Sequence, residues 1–503
     1  MTLINLRNLG VTLSAPLFSN LNLTIGKGDR IGLVAANGRG KSTLLRAISG
    51  EADTTHGEIT TARGLRVGRV SQDVPEALLA VSMYDAVLSA LDNDQVEHES
   101  WRVDVALDHL QVPPELRQRL LGALSGGWQR IALLARVWVT EPDVLLMDEP
   151  TNHLDLNRIG ILQHWLNTVA RGTPFLVASH DRSFLDAVTN RTFFLRAEQS
   201  HSFTSAYSEA RNALDEMDVA AARQFENEIA KANQLRRQAA KLKNIGFNSG
   251  SDLLLNKTRQ LKVRAEKIEE SARPAFTERS AGKIRLANSG THARALVTIE
   301  ESEITIPDGQ SLFRVGPLWI NRGDRVVVLG SNGSGKTLFL TRVISALRGG
   351  QSGIRVAPSV VPGVSDQTLS QLDGFSSPMD AVTGSSEVGD RSARALLAGA
   401  GVDINVQDRA ISILSGGQRS RLAMLLLRLA KPNFYVLDEP TNHLDIEGQE
   451  ALEYEMLEHD ATALLVSHDR TFVRTVGTRF WQIEEQRLVE VDSPEGFFLK
   501  ELD

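Results

Sequence analysis

The octapeptide DEPTNHLD stands at residues 148–155 and again at 438–445. An intact repeat of that length within 503 residues points to internal duplication, which constrains the fold more than any single segment can. Four further blocks recur in the same order. GLVAANGRGKST begins at Gly32 and VLGSNGSGKT at Val328; GRVSQ ends at Gln72 and GVSDQ at Gln367. LSGGWQR begins at Leu124 and LSGGQRS at Leu414; LVASHDRSFL spans 176–185 and LLVSHDRTFV 464–473. Each glutamine lies 31 residues after the lysine of its own glycine-rich loop, and each LSGG serine lies 24 residues before its DEP glutamate. The chain is one domain written twice, with something else between the copies.

Local patterns place these blocks on a fold. RIGLVAA and RVVVLG are short apolar runs that lead through glycines into the helical stretches KSTLLRAIS and KTLFLTRVIS. DVLLMDE, FYVLDE, PFLVASH and ALLVSH are equally apolar and end in acids or histidine. Strands buried on both faces of a parallel sheet read this way, and functional groups in such sheets gather at the strand C-termini. Each half is predicted to be an α/β domain.

The glycine-rich loops carry the chemistry of phosphate binding. In G-x-x-x-x-G-K-[ST] between a strand and a helix, backbone N–H groups and the helix N-terminus cradle the anion. The first loop supplies Asn37, Gly38, Arg39, Gly40, Lys41, Ser42 and Thr43; the second supplies Gly330, Ser331, Asn332, Gly333, Ser334, Gly335, Lys336 and Thr337. Lys41 and Lys336 reach the β/γ-phosphates, and Ser42 and Thr337 offer hydroxyls to Mg²⁺. Ala35 occupies the place of the first glycine. Were φ > 0 needed there, alanine would cost ~1 kcal/mol or more, so the first loop is expected to bind nucleotide more weakly than the second.

Asp148 and Asp438 end apolar strands and suit Mg²⁺; the adjacent Glu149 and Glu439 suit polarisation of an attacking water. His180 and His468 follow the next strand, in position to bond a γ-phosphate and that water. A lone acid at a strand end is more often a cap, and a lone histidine more often a surface residue. Their recurrence in matching contexts is what favours catalysis. Ser125, Gly126 and Gly127, like Ser415, Gly416 and Gly417, read as helix N-caps with exposed N–H groups, a second kind of anion site.

The middle of the chain has another texture. Apolar residues step by three and four through Phe225, Ile229, Ala232, Leu235, Ala239 and Leu242, then through Leu254, Thr258, Leu261, Ala265 and Ile268. NIGFNSGSD separates the two series, which predicts an antiparallel helical hairpin. A single helix over 206–243 would be ~57 Å long at ~1.5 Å per residue. SARPAFTERSAGK reads as a loop leading into the second half. Between Lys231 and Lys267 stand ten Lys/Arg and two acids, a net charge of +8, whereas the whole chain carries −7.

Composition removes several classes. The chain has no cysteine, hence no disulfides, iron–sulfur clusters or thiolate zinc sites. It has no apolar run near the ~18 residues that cross a bilayer. Its start, MTLINLRNLGVTL, alternates like a strand and lacks the layout of a signal peptide, so a cytoplasmic location is expected.

Two Walker A loops, two LSGG signatures, two DEPTNHLD blocks and two SHDR segments resemble a tandem ATP-binding-cassette (ABC) protein. LSGGW in the first half, LSGGQ in the second and a charged helical linker of ~80 residues are similar to the ABC-F family. The fold class so implied is α/β: two tandem P-loop cassettes, at 1–200 and 291–503, joined by a basic antiparallel α-helical hairpin at 201–290. In that family the cassettes lack membrane domains and the linker enters the ribosomal tRNA exit site. The resemblance implies a monomeric, head-to-tail pseudo-dimer with two composite ATP sites. Lys41, Ser42, Gln72, Asp148, Glu149 and His180 would join Ser415–Gly417 in one; Lys336, Thr337, Gln367, Asp438, Glu439 and His468 would join Ser125–Gly127 in the other. Gln72 and Gln367 would share Mg²⁺ with Ser42, Asp148, Thr337 and Asp438, and Asp155 and Asp445 would act across the interface. Many cassettes stack adenine on an aromatic residue, but Leu13 and Ile306 stand at that place here, leaving selectivity for ATP over GTP open.

A solvated spacer has no need of a +8 charge. Arg236, Arg237, Lys241, Lys243, Lys257, Arg259, Lys262 and Arg264 are therefore the candidates for rRNA or tRNA contact. The resulting expectation is an ATPase that binds the ribosome when ATP-loaded, as a translation factor or an antibiotic-resistance ribosome-protection factor. The alternatives are the energising subunit of an ABC transporter, whose cassettes are usually joined by short links, and a DNA-maintenance ATPase.

Overall fold

The computed structural model describes residues 1–13, 16–152, 154–249, 252–271, 282–306, 310–350 and 353–502. They form two compact units: residues 1–207 with 281–503, and residues 208–280.

The first unit holds both halves of the repeat. In the first half a six-stranded sheet runs in the order Val67–Val70, Val144–Asp148, Phe175–Ala178, Arg30–Val34, Arg191–Phe194, His201–Phe203. All neighbours pair in parallel except the last two strands, which are antiparallel. The second half repeats the core with Pro362–Ser365, Phe434–Asp438, Ala463–Val466, Arg325–Leu329 and Arg479–Glu484, and extends it to eight strands. VLLMD and FYVLD are buried at every position, as strands covered on both faces must be.

This strand order positions the chemistry. The strand bearing the DEP acids and the strand leading to the glycine-rich loop flank the strand ending at the SHDR segment. Because the three are parallel, acids, histidine and loop emerge on one edge of the sheet, where ligands bind in open α/β folds. A three-stranded antiparallel sheet accompanies each half, Pro16–Gly26, Thr2–Thr12 and His56–Thr61 in the first and Leu318–Asn321, Ala295–Ile299 and Ile354–Val356 in the second.

The second unit is the hairpin. Its helices are Tyr207–Ser249, of 43 residues, and Asp252–Ser271, of 20 residues. The first is about 65 Å long at ~1.5 Å per residue, longer than the 206–243 reading allowed. Ala232, Ala239, Thr258 and Ala265 of the predicted stripe are buried, and Arg236 pairs with Glu269 across the two helices. All eight predicted cationic contact residues are exposed, as are Phe247 and Leu253. The tip residues Gly250 and Ser251 and most of the loop SARPAFTERSAGK lie outside the described residues. The hairpin unit is narrower than 201–290: His201–Phe203 pairs with Arg191–Phe194, and Ile284 and Leu286 enter the core of the second half.

Candidate functional site

Each glycine-rich loop ends in glycines whose backbone no other residue adopts easily. Gly40 and Gly335, with φ of 93° and 98°, turn the chain into the helices that begin at Lys41 and Lys336. A side chain there would also meet Leu17 and Phe18 in the first loop, or Leu312 and Phe313 in the second. Leu17 and Leu312 are thus the apolar residues packed on the loops, whereas Leu13 is exposed and Ile306 half-buried. Sequence reasoning missed this pair, because the strand register that brings them in is not visible locally.

Ala35 is not among the residues with positive φ, so the strain that would have weakened the first loop is absent. At the matching Gly330 a side chain would meet Ile483 at ordinary contact distance and crowd the Ser334 hydroxyl, at 2.7 Å. Arg39 stands at that place in the first loop. Ala35→Gly is therefore expected to leave nucleotide affinity at the first loop within about twofold, as titration of the Lys336→Ala protein would measure. A gain of tenfold would restore the strain argument.

In the first half Lys41 Nζ donates to the Ala35 carbonyl at 3.1 Å and lies 2.7 Å from His180 Nε2 and 3.6 Å from Glu149 Oε1. His180 Nε2 also lies 3.2 Å from both Glu149 Oε1 and Asn37 Oδ1, and its backbone N–H donates to Glu149 Oε2 at 3.2 Å. Lysine, glutamate and histidine therefore converge as the sequence predicted. In the second half Lys336 Nζ donates to the Gly330 and Ser331 carbonyls at 2.6 and 3.0 Å. Thr337 Oγ1 donates to Asp438 Oδ2 at 3.1 Å, and His468 Nε2 is 3.6 Å from Glu439 Oε1. Both glutamates hold left-handed backbone, with φ of 48° and 52°. Such strain persists only where the surroundings over-determine it, here through N–H bonds to Ala178 and Val466.

Burial sets the charge states. It pushes His180 and His468 down to about 4, so both imidazoles are neutral near pH 7. Burial, then the adjacent Glu439 charge, pushes Asp438 up to about 6; burial pushes Glu439 up to about 7 and raises Asp148. Asp148 Oδ1, Glu149 Oε1 and Glu439 Oε1 are buried with no hydrogen-bond partner among the described residues. Neighbouring buried carboxylates with orphaned oxygens, and a hydroxyl on one of them, suit a hard cation. Mg²⁺ takes few protein ligands and completes its shell with substrate phosphates and water, so one carboxylate and one hydroxyl per site match its needs. Gln72 and Gln367 lie two residues past their strand ends with exposed side chains.

The halves meet about a pseudo-twofold axis. Ser183 Oγ lies 3.0 Å from Thr471 Oγ1, its own counterpart, and Arg182 faces Asp469 at 3.5 Å while Arg470 faces Asp181 at 3.7 Å. Such reciprocal contacts define an isologous interface. Arg182 also pairs with buried Glu453, whose counterpart in the first half is Gln163. Repetition flagged the arginines; nothing local marked Glu453. The interface also needs Gly160, where a side-chain carbon would sit 2.5 Å from the Leu502 carbonyl.

This axis sets each glycine-rich loop opposite the other half's signature. A carbon on Gly417 would lie 2.8 Å from Asn37 Nδ2, and Asn37 donates its backbone N–H to Asp445 Oδ2 at 2.8 Å and its Nδ2 to the His443 carbonyl at 3.0 Å. On the other side Asp155 acts on Lys336 and His468 through its charge, while Ser125, Gly126, Ser331, Asn332 and Gly333 are exposed. Among the described residues, the direct hydrogen bonds between a loop and the opposing signature half are those of Asn37. The caps differ too. Ser415 and Gln418 form a reciprocal capping box, but Ser125 makes no such side-chain bond, because Trp128 replaces the glutamine. A further residue missed in sequence is buried Arg130, which holds the Ser71 and Gln72 carbonyls.

Comparison with known proteins finds the same duplication. The family described as ABC transporter matches residues 18–152 and 317–442, one copy in each half. The chain is 31% identical to the ATP-binding protein Uup of Haemophilus influenzae over 96% of its own length and 79% of that protein's. It is 28% identical to ABC transporter F family member 2 of Arabidopsis thaliana, over 95% of this chain and 75% of that one. Among solved structures, the archaeal ribosome recycling factor aABCE1, determined in complex with the archaeal ribosomal stalk protein aP1, aligns with a TM-score of 0.65 at 19% identity. That alignment covers 98% of this chain and 92% of the other, a likeness of fold. No helix among the described residues is long and apolar enough to cross a membrane.

Proposed function

We propose a function from one premise: the chain belongs to the ABC transporter family, as a tandem-cassette ATPase of the ABC-F type. It binds the ribosome in its ATP-loaded state, in the cytosol, and ATP hydrolysis releases it. The observation that carries this reading is the hairpin between the cassettes, which places eight exposed cations on two helices of an otherwise acidic chain. Lys and Arg on a helical rod supply sequence-independent affinity for a phosphate backbone, as rRNA and tRNA present. A protein of the same fold, aABCE1, is a ribosome recycling factor.

In this reading Lys41 and Lys336, with the loop N–H groups, hold the nucleotide phosphates. Ser42 with Asp148, and Thr337 with Asp438, would hold Mg²⁺, which would supply charge neutralisation for the β/γ-phosphates. Glu149 and Glu439 orient and deprotonate the attacking water, and neutral His180 and His468 hydrogen-bond the γ-phosphate. ATP bound between the Lys41 loop and Gly417, which already abuts Asn37, would hold the halves together, so binding energy becomes closure.

Changing Arg236, Arg237, Lys241, Lys243, Lys257, Arg259, Lys262 and Arg264 to glutamine should lower ribosome affinity more than ~10-fold and flatten its salt dependence. Thermal stability and basal ATP turnover should persist, because these side chains are exposed. Co-sedimentation with ribosomes at increasing salt makes the measurement. Unchanged pelleting overturns the ribosome reading, and equal retention on duplex DNA would favour a DNA-directed ATPase instead.

A further inference from the structure

We infer that Arg421 is a positioning residue that holds Asp445 against the opposite cassette's Asn37, so that the ATP site containing Lys41 stays assembled while the site containing Lys336 opens and exchanges. The inference rests on the reading of both loops as ATP sites and adds that they are unequal by construction.

Asp445 caps the helix Ile446–Glu458 and is almost fully buried. Its Oδ1 accepts from Arg421 Nη2 at 2.7 Å and from the Gly448 N–H at 3.1 Å, which leaves Oδ2 to accept from the Asn37 N–H at 2.8 Å across the interface. A buried carboxylate persists as an anion only with a compensating cation. Arg421, itself buried, is that cation. Burial pushes the Asp445 carboxyl up, but Arg421 and the Asn37 N–H more than offset this and hold it below the ordinary carboxylate range. Arg421 lies on the signature helix Gly416–Ala430, whose start abuts Asn37. One guanidinium thus ties together the signature helix, the cross-interface aspartate and the opposing phosphate loop.

The first half lacks this arrangement. Ile131 stands at the place of Arg421, six residues after the signature serine, and Arg158 stands at the place of Gly448, three residues after the aspartate. Asp155 is held within its own helix instead, accepting from Arg158 Nη1 at 2.7 Å and from the Arg158 N–H at 3.0 Å. The Arg158 guanidinium lies 4.6 Å over the Trp128 ring. The cation has moved from behind the aspartate to beside it, so both carboxylate oxygens accept from Arg158, and Asp155 reaches Lys336 and His468 of the other half through its charge rather than through a hydrogen bond. Correspondingly Ser331 and Asn332 are exposed, whereas their counterparts Ala36 and Asn37 are buried and half-buried; Gly333 and Gly38 are exposed alike.

The test is nucleotide release, followed with fluorescent ATP in the full chain. Lys41→Ala and Lys336→Ala variants assign the two phases. Release from the Lys41 site should be the slower. Arg421→Met should accelerate it at least tenfold and leave the Lys336 site unchanged, and Arg421→Lys should recover most of the delay. Asp445→Asn should accelerate it similarly, with Arg421→Met adding nothing further in that background, because the arginine acts through the aspartate. If Arg421→Met does not fold, the double variant carries the test, since it buries no unpaired charge. Equal acceleration at both sites, or additive effects of the two substitutions, overturns the inference. Absence of bound nucleotide in the unaltered chain would instead sink the reading of the loops as ATP sites, and the inference with it.

Discussion

In the Glu149→Gln, Glu439→Gln double variant, ATP turnover should fall by ~10²–10⁴-fold while the protein becomes trapped on ribosomes whenever ATP is present. The amide is isosteric and its oxygen can still accept from the His180 and His468 N–H groups, as the carboxylates do at 3.2 Å. The left-handed backbone at both positions is therefore preserved. What is lost is the base that takes the proton from water. Phosphate cradle, signature contact and cross-interface aspartate remain, so binding energy is still spent on closure but hydrolysis no longer relieves it. Pelleting with ribosomes should rise with ATP and not with ADP. Turnover near that of the unaltered chain would remove the glutamates from catalysis, and ATP-independent pelleting would uncouple the cassettes from ribosome binding.

Removing Glu453 should destabilise the cassette pair by ~3–5 kcal/mol, because Glu453→Ala strips a buried guanidinium of its main partner. Arg182 donates to both carboxylate oxygens, and among the described residues Asp469, at 3.5 Å, is the ion-pair partner that would remain to it. Glu453→Gln should cost less, since an amide oxygen still accepts one of the two bonds. The matching Gln163→Ala change should be close to neutral, because the amide nitrogen there is buried with no hydrogen-bond partner among the described residues, so its removal breaks no bond. Urea unfolding of the three variants provides the comparison. A Glu453→Ala cost no larger than that of Gln163→Ala would show the pair to be energetically idle.

The residues proposed for catalysis were legible because phosphate chemistry imposes residue types at fixed offsets from strand ends. Lys41, Glu149 and His180 lie 2.7–3.6 Å from one another for that reason, and the duplicate set repeats the offsets. The hairpin was legible for another reason: helical period and net charge are local properties, and Ala232, Ala239 and Ala265 are buried as the stripe required. Strain at Ala35 was a misplaced expectation, because the loop's left-handed turns fall at Gly38 and Gly40 instead.

By itself the sequence determined that this chain has two copies of a nucleotide-binding α/β domain and a basic helical insertion, since each follows from spacing, periodicity or charge along a short stretch. Tertiary structure alone decided that the copies are unequal. Whether Asp445 reaches Asn37, whether Arg182 finds Glu453, and which signature serine is capped by its neighbour depend on packing between residues far apart in sequence or on a single side chain's rotamer. Buried charges must be satisfied where the chain folds, and two halves that carry their arginines at different positions satisfy them differently.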